Sequence, residues 1–293
     1  MKKNDKLAKA YRVEDGKQFK LSDFDPADTA QWHSKKHAEK ALQQGIERTA
    51  DLQTKLYAQD NWSVLLIFQA MDAAGKDGAI SHVMSGVNPQ GCQVYSFKVP
   101  TEIELQHDYL WRTTCSLPER GHIGIFNRSY YEEVLVVRVH PEALQKEKMP
   151  PVLVGKKIWD ERFEDIRGFE RHMARNGTVI RKFFLNLSKK EQKRRFLARL
   201  DEPEKNWKFS AADIHERKYW DDYQDAYEDM IRNTATEEAP WYVVPADNKW
   251  FTRLVVSTVL VDTLEGLKLS FPKVEDAKRK ELEEAKKVLV SKE

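Results

Sequence analysis

The sequence predicts an α/β fold in which a central, mostly parallel sheet of five strands is flanked by helices. Five short, almost wholly apolar runs recur at 63–68, 94–97, 122–126, 179–185 and 241–245. Strands buried on both faces of a parallel sheet read as continuous runs of this kind. Longer segments with helical spacing separate them, and strands alternating with helices argue for parallel pairing. The chain has 293 residues, 41% of them hydrophobic and eight of them Trp, so it can bury the core of one large domain although 33% of it is charged.

Residues 1–29 are polar, close on Asp25-Pro26 and read as an N-terminal arm; the domain proper is expected over 30–272. Ala41, Leu42, Ile46, Leu52 and Leu56 recur at helical spacing in a stretch without Pro, which predicts a first long helix. The run 63–68 is the first strand, and a Gly-Lys pair at 75–76 opens the next helix. Thr101-x-x-Glu104 and Ser188-x-x-Glu191 fit the capping box, in which side chain and backbone satisfy each other at a helix start. The tail, 273–293, reads as a charged helix, solvated or paired with a partner chain.

Composition excludes several classes. The 49 Lys and Arg nearly balance the 47 Asp and Glu, for a net charge of +2, so an anion site requires local clustering. Cys92 and Cys115 can build neither a disulfide framework nor a zinc cage, which fits a reducing, cytoplasmic location. No apolar stretch approaches the roughly 20 residues of a membrane helix. The basic N-terminus lacks a signal peptide's apolar core. No motif combining stacking and basic residues points to nucleic acid.

Chemistry concentrates where strands end. After the first strand comes Gln69-Ala70-Met71-Asp72-Ala73-Ala74-Gly75-Lys76-Asp77-Gly78. A strand, a tight loop, Gly-Lys and a helix form the context of a P-loop, in which backbone N–H groups and a lysine meet phosphate oxygens. The match departs from the usual pattern: Ala70 stands at the first glycine, and Asp77 replaces the Ser or Thr that would bind magnesium. Asp72 would repel phosphate unless a cation offsets it. It is either a plain N-cap of the helix starting near Lys76, or it binds Mg²⁺ or orients an acceptor phosphate beside that lysine.

The third strand runs into Asn127-Arg128-Ser129-Tyr130-Tyr131-Glu132-Glu133. Ligands of open α/β sheets sit at the carboxyl ends of strands, so Asn127 and Arg128 should face the Gly-Lys loop. Nucleoside monophosphate kinases of the thymidylate kinase type carry an Asp-Arg pair at this place. Asn127 supplies no charge, which leaves Glu132 or Glu133 as the local acid. Arg138, in an otherwise apolar run, is either paired with an acid or pointed at an anion. Beyond the fourth strand, Lys189, Lys190, Lys193, Arg194, Arg195 and Arg199 make the densest basic run, and Lys205, Lys208 and Arg217 follow. Arg195 and Arg199 share a helix face. A lid over about 188–218 that carries such residues would neutralise a transferring phosphoryl group and exclude water.

Taken together, 71–78, Phe126-Asn127-Arg128-Ser129 and Asn206-Trp207-Lys208-Phe209 resemble the polyphosphate kinase 2 family. Asn127 and the stretch Tyr-Glu-Glu-Val-Leu-Val-Val-Arg-Val make the chain similar to that family's class III branch. The resemblance spans about residues 11–271. It implies a P-loop kinase fold and reversible, Mg²⁺-dependent transfer (with Mn²⁺ as a substitute) between inorganic polyphosphate and nucleotides. AMP and ADP are the implied acceptors, with GMP and GDP as further candidates. Asp72, Lys76 and Arg128 then carry catalysis. Ala73, Ala74, Gly75, Asp77, Gly78, Asn127, Arg138, Arg195, Arg199 and Lys208 bind polyphosphate or nucleotide, and Asp72 and Glu132 hold the metal. A homodimer or homotetramer is implied. The rival readings are an ATP-dependent nucleoside monophosphate kinase and a polyphosphate-binding protein without turnover.

Overall fold

In the computed structural model, which describes residues 2–30 and 32–291 (side chains from residue 6), the apolar runs become strands. In chain order the elements are α1 (Lys2–Ala10), β1 (Arg12–Val13), α2 (Lys35–Gln59), β2 (Ser63–Gln69), α3 (Lys76–Val83), β3 (Cys92–Ser96), α4 (Trp111–Thr114), β4 (Ile123–Asn127), α5 (Val136–Val139) and α6 (Ile158–Arg175). They continue with β5 (Thr178–Asn186), α7 (Lys189–Asp201), α8 (Ala211–Glu216), α9 (Trp220–Thr234), β6 (Trp241–Pro245), α10 (Lys249–Gly266) and α11 (Asp276–Val290). Short 3₁₀ turns fill several connections.

The sheet order is β1-β6-β5-β2-β4-β3, and every pairing is parallel except that of β1 with β6. The expected five strands are therefore six. The sixth is two residues long, too short for any periodicity, and its partners Trp241 and Tyr242 lie far along the chain.

Burial on both faces explains why the strands were legible. Successive side chains of β2 alternate between two cores: Val64, Leu66 and Phe68 pack on one side, Leu65 and Ile67 on the other. Helices α2, α3 and α10 cover the first face, α6 and α9 the second. Of the two capping boxes, 101–104 is complete but heads only a 3₁₀ turn. Ser188 does cap α7, yet Glu191 turns away to Arg194 and Arg195. Helix α11 is exposed along its whole length. Among the described residues no helix is long and apolar enough to cross a membrane.

The segment expected as an arm packs on the domain. Leu7, Ala8 and Tyr11 are buried in the first core, and the Tyr11 hydroxyl donates to Asp28 at 2.6 Å. Gly16 approaches α9 so closely that a Cβ there would lie 2.0 Å from the Arg232 carbonyl oxygen. Gly16→Ala must push this segment off the sheet edge, at about 1–3 kcal/mol. A thermal melt should show a midpoint several degrees lower, whereas a free arm would leave it unchanged.

Between β5 and α6 lies a buried charge pair. The Lys182 ammonium, on β5, donates to Glu170 (2.7 Å), to the Tyr131 hydroxyl (2.9 Å) and to the Thr234 carbonyl (2.7 Å). The Tyr130 and Tyr131 hydroxyls both donate to Glu170. Every polar group in this cluster is used, which is the condition for tolerating charge in a core. The cluster anchors the chain two residues past Arg128, whose backbone is left-handed at φ 64°.

Candidate active site

The carboxyl ends of β2, β3, β4 and β6 open onto one cavity of about 890 Å³. Its floor is the Gly-Lys loop at residues 72–75, which follows the central strand and turns into α3. Ala73 and Gly75 take left-handed backbone conformations, φ 63° and 99°, to make the turn. Helix α3 begins at Lys76 with Gly75 as its N-cap and no side-chain cap, so Asp72 is not capping it. The Asp72 carboxylate instead accepts from the Arg128 guanidinium at 3.0 Å.

Arg128 bridges two acids, since it also donates to Glu132 at 3.0 Å. Glu132 and then Asp72 hold its proton more firmly than usual, against the cost of burial. Its own amide donates to the Phe68 carbonyl at 3.0 Å, which stitches the end of β4 to β2. The Lys76 ammonium rests on the Ala70 carbonyl at 3.0 Å. Burial, reinforced by Arg128, lowers its pKa to about 8. Asn127 donates to Asp77 at 2.6 Å, joining β4 to the first turn of α3.

Ten lysines and arginines line the cavity against three carboxylates, in a chain whose net charge is only +2. Positive charge is therefore concentrated on one face while the rest of the surface is net acidic. Lys208 lies over the Trp207 ring, and Arg199 donates to Asp213 at 2.9 Å and to the Lys208 carbonyl. Burial raises the Asp213 pKa, with Asp72 adding to the effect.

Two expected anion ligands are placed otherwise. Arg138 lies outside the cavity, paired with Asp229 at 2.6 Å, so the paired reading of that arginine is the observed one. Arg195 borders the cavity but spends its guanidinium on protein oxygens.

Sequence reasoning missed Lys98, Lys249 and Arg253 as cavity residues, whereas Arg194 and Lys205, named with the lid, do line it. Lys98 follows the end of β3 and Lys249 the end of β6, so the rule that led to Arg128 would have found both. Arg253 lies four residues past Lys249 on the same face of α10. Burial and then Arg195, Lys205, Arg253 and Arg194 depress the Lys249 pKa, a crowding that a polyanion would relieve.

A second, smaller hollow of about 30 Å³ lies on the other side of Asp72 and Arg128. Met71, Val136, Tyr223 and Tyr227 line it together with Glu132, Asp213, Glu216 and Arg217. Asp72 and Arg128 thus form a wall common to both spaces.

Among the described residues no group of three or more His, Cys, Asp or Glu side chains can enclose a metal. Magnesium does not need such a cage, since it takes one or two carboxylates and completes its shell with phosphate oxygens and water. Asp72, Asp77 and Glu132 are oxygen donors of that kind beside an anion cavity, and they fit it.

Comparison with known proteins agrees with this geometry. The chain is 58% identical over 275 residues to the ADP-polyphosphate phosphotransferase of Rhodopseudomonas palustris, covering 91% of this chain and 95% of that protein. It is 49% identical over 273 residues to the AMP/ADP-polyphosphate phosphotransferase of Meiothermus ruber, covering 93% and 98%. The crystal structure of polyphosphate kinase 2 from Arthrobacter aurescens superposes with a TM-score of 0.87 at 41% identity, over 98% of this chain and 97% of that one. A family model described as Polyphosphate kinase 2 (PPK2) matches residues 33–272. With the model spanning the five parallel strands β2 to β6, and with relatives matched nearly end to end, the chain belongs to the polyphosphate kinase 2 family.

Proposed function

We propose that this chain is a polyphosphate:nucleotide phosphotransferase of P-loop kinase architecture. It moves the terminal phosphoryl group of inorganic polyphosphate reversibly to nucleoside mono- and diphosphates, so that AMP becomes ADP and ADP becomes ATP. The observation that carries the reading is the common wall. Asp72 and Arg128 stand between a large cavity rich in cations and a hollow of mixed charge lined by tyrosines.

Polyphosphate carries about one negative charge per phosphate, and a row of Lys and Arg holds such a chain by charge without regard to its length. In the large cavity, Lys249, Arg253, Lys205 and Arg199 hold the body of the chain. Lys76 and the free amides at the start of α3 hold its terminal phosphate. The acceptor comes from the side of the hollow, which must widen by an outward shift of 210–219, beyond α7, to admit it. An oxygen of the acceptor phosphate attacks the terminal phosphorus. The bond to the penultimate phosphate breaks, and the shortened chain keeps the electron pair. Arg128, held by Asp72 and Glu132, faces the equatorial oxygens where charge spreads. Asp72 with Asp77 or Glu132 would hold magnesium, which would supply neutralisation of the charge on the transferring phosphoryl group. No covalent enzyme intermediate is required.

The test is an end-point assay with AMP, polyphosphate and Mg²⁺, resolving ADP from ATP, beside a reaction without polyphosphate. ADP followed by ATP, only with polyphosphate present, is the expected result. The names of the two relatives differ in acceptor, ADP in one and AMP/ADP in the other, and conversion of ADP without conversion of AMP would narrow the range to diphosphates. Turnover with ATP but not polyphosphate as donor would replace the reading with an ordinary nucleotide kinase.

A further inference from the structure

We propose that Arg195 and Gln192, on the stem helix α7 of the basic segment, are positioning residues that preset the backbone of the Gly-Lys loop. This inference deepens the phosphotransfer reading and rests on it. Three consecutive loop carbonyls are tied to one face of α7. The Gln192 amide donates to the Asp72 carbonyl at 3.1 Å, and the Arg195 guanidinium donates to the carbonyls of Ala73 (3.0 Å) and Ala74 (2.7 Å). The same guanidinium donates to the carbonyls of Ala246 (2.6 Å) and Asp247 (3.1 Å), just past β6, and to Glu191 at 2.8 Å. An arginine has five N–H donors, and each has an acceptor here. Arg195 is also 6% exposed, and Gln192 1%. Arg195 has no donor left for phosphate; Gln192 gives an amide N–H to the loop and accepts from Arg217 at 2.6 Å.

A trans peptide places its carbonyl and the following N–H on opposite sides. Drawing the carbonyls of 72, 73 and 74 toward α7 therefore turns the amides of 73, 74 and 75 away from it. The Ala74 amide closes the turn onto the Met71 carbonyl at 3.2 Å. Among the described residues, the Ala73 and Gly75 amides have no acceptor. Successive N–H groups in left-handed and right-handed alternation form an anion-binding nest. Here the nest includes an alanine at φ 63°, a conformation that costs about 1–2 kcal/mol for a residue with a Cβ. A loop with alanine in place of the usual glycines relaxes unless something outside it holds the strained turn. The α7 contacts do that, and they link the loop to the segment expected to close over it.

The experiment compares Arg195→Lys and Gln192→Leu with Arg199→Ala. It measures kcat, the KM for polyphosphate at several salt concentrations, and amide hydrogen exchange over 70–78. Misaligning a preset loop should lower kcat by about 10²-fold in Arg195→Lys, with KM and its salt slope near wild type and faster exchange at 73–75. Gln192→Leu, which removes one carbonyl tie instead of two, should fall between that variant and wild type. Arg199→Ala should raise KM, reduce the salt slope by about one and leave exchange unchanged. A rise in KM with a reduced salt slope in Arg195→Lys would make Arg195 a phosphate ligand and overturn the proposal. Unchanged exchange at 73–75 in both variants would do the same. If Arg195→Lys does not fold, Gln192→Leu decides alone, and wild-type kcat in it overturns the proposal. A wild-type protein inactive with polyphosphate would defeat the phosphotransfer reading, while the exchange comparison would still decide this one.

Discussion

Lys76→Met should lower kcat by about 10²–10³-fold and, at neutral pH, raise the melting temperature. Both effects come from one ammonium. Half-buried against the Ala70 carbonyl and near Arg128, it is held at a pKa of about 8, down from 10.5. The folded state therefore binds this proton less tightly than the unfolded chain does. At every pH below about 8 the charged lysine costs folding free energy, and the cost fades between about 8 and 10.5. Methionine removes it, so the variant should melt above wild type at pH 7, with the gap closing toward pH 10.5. For turnover, kcat/KM of the wild type should fall above about pH 8 as the free enzyme loses the proton. The kcat itself should hold to higher pH, because bound phosphate keeps the lysine charged. A variant with full kcat, or a kcat/KM flat from pH 7 to 10, would remove Lys76 from the site.

The same residue shows why part of the site could be read without coordinates. A strand, a Gly-Lys turn and a helix are local in sequence, and local order places Lys76 at the mouth of α3 whatever the rest of the chain does. The strands were legible because β2, β4, β5 and β6 are buried on both faces. What the sequence withheld depends on contacts between distant segments. Arg195 reads as one more cation in a basic run, but the Ala246 and Asp247 carbonyls that consume it lie some fifty residues on. Arg138 finds its acid, Asp229, ninety-one residues away. Lys182 sits inside an apolar run, and nothing local announces that Glu170, Tyr131 and the Thr234 carbonyl will surround its ammonium. Charge alone was thus a poor guide to position: of the expected cations, Arg138 lies outside the cavity and Arg195 spends its donors on protein oxygens.

Asp72→Asn should separate binding from turnover more sharply than any change to a cation. The side chain is half-buried, its carbonyl is held by Gln192, and asparagine can still accept one hydrogen bond from Arg128, so the loop should keep its shape. The charge is lost, and with it the partner that orients Arg128 and an oxygen donor suited to magnesium. The kcat should fall by about 10²–10³-fold. Affinity for polyphosphate should move the other way: one of only three carboxylates lining the cavity has gone, and repulsion of the polyanion goes with it. Filter binding of labelled polyphosphate beside steady-state assays would read both. Tight binding with turnover intact would show that Asp72 has no part in the reaction. Tighter binding with turnover lost is the signature expected of an enzyme, because a protein that only stored polyphosphate would be improved by the substitution. An acid held among ten cations weakens the grip on an anion; under the proposed reading its use would be to fix Arg128 and to offer an oxygen to a metal during phosphoryl transfer.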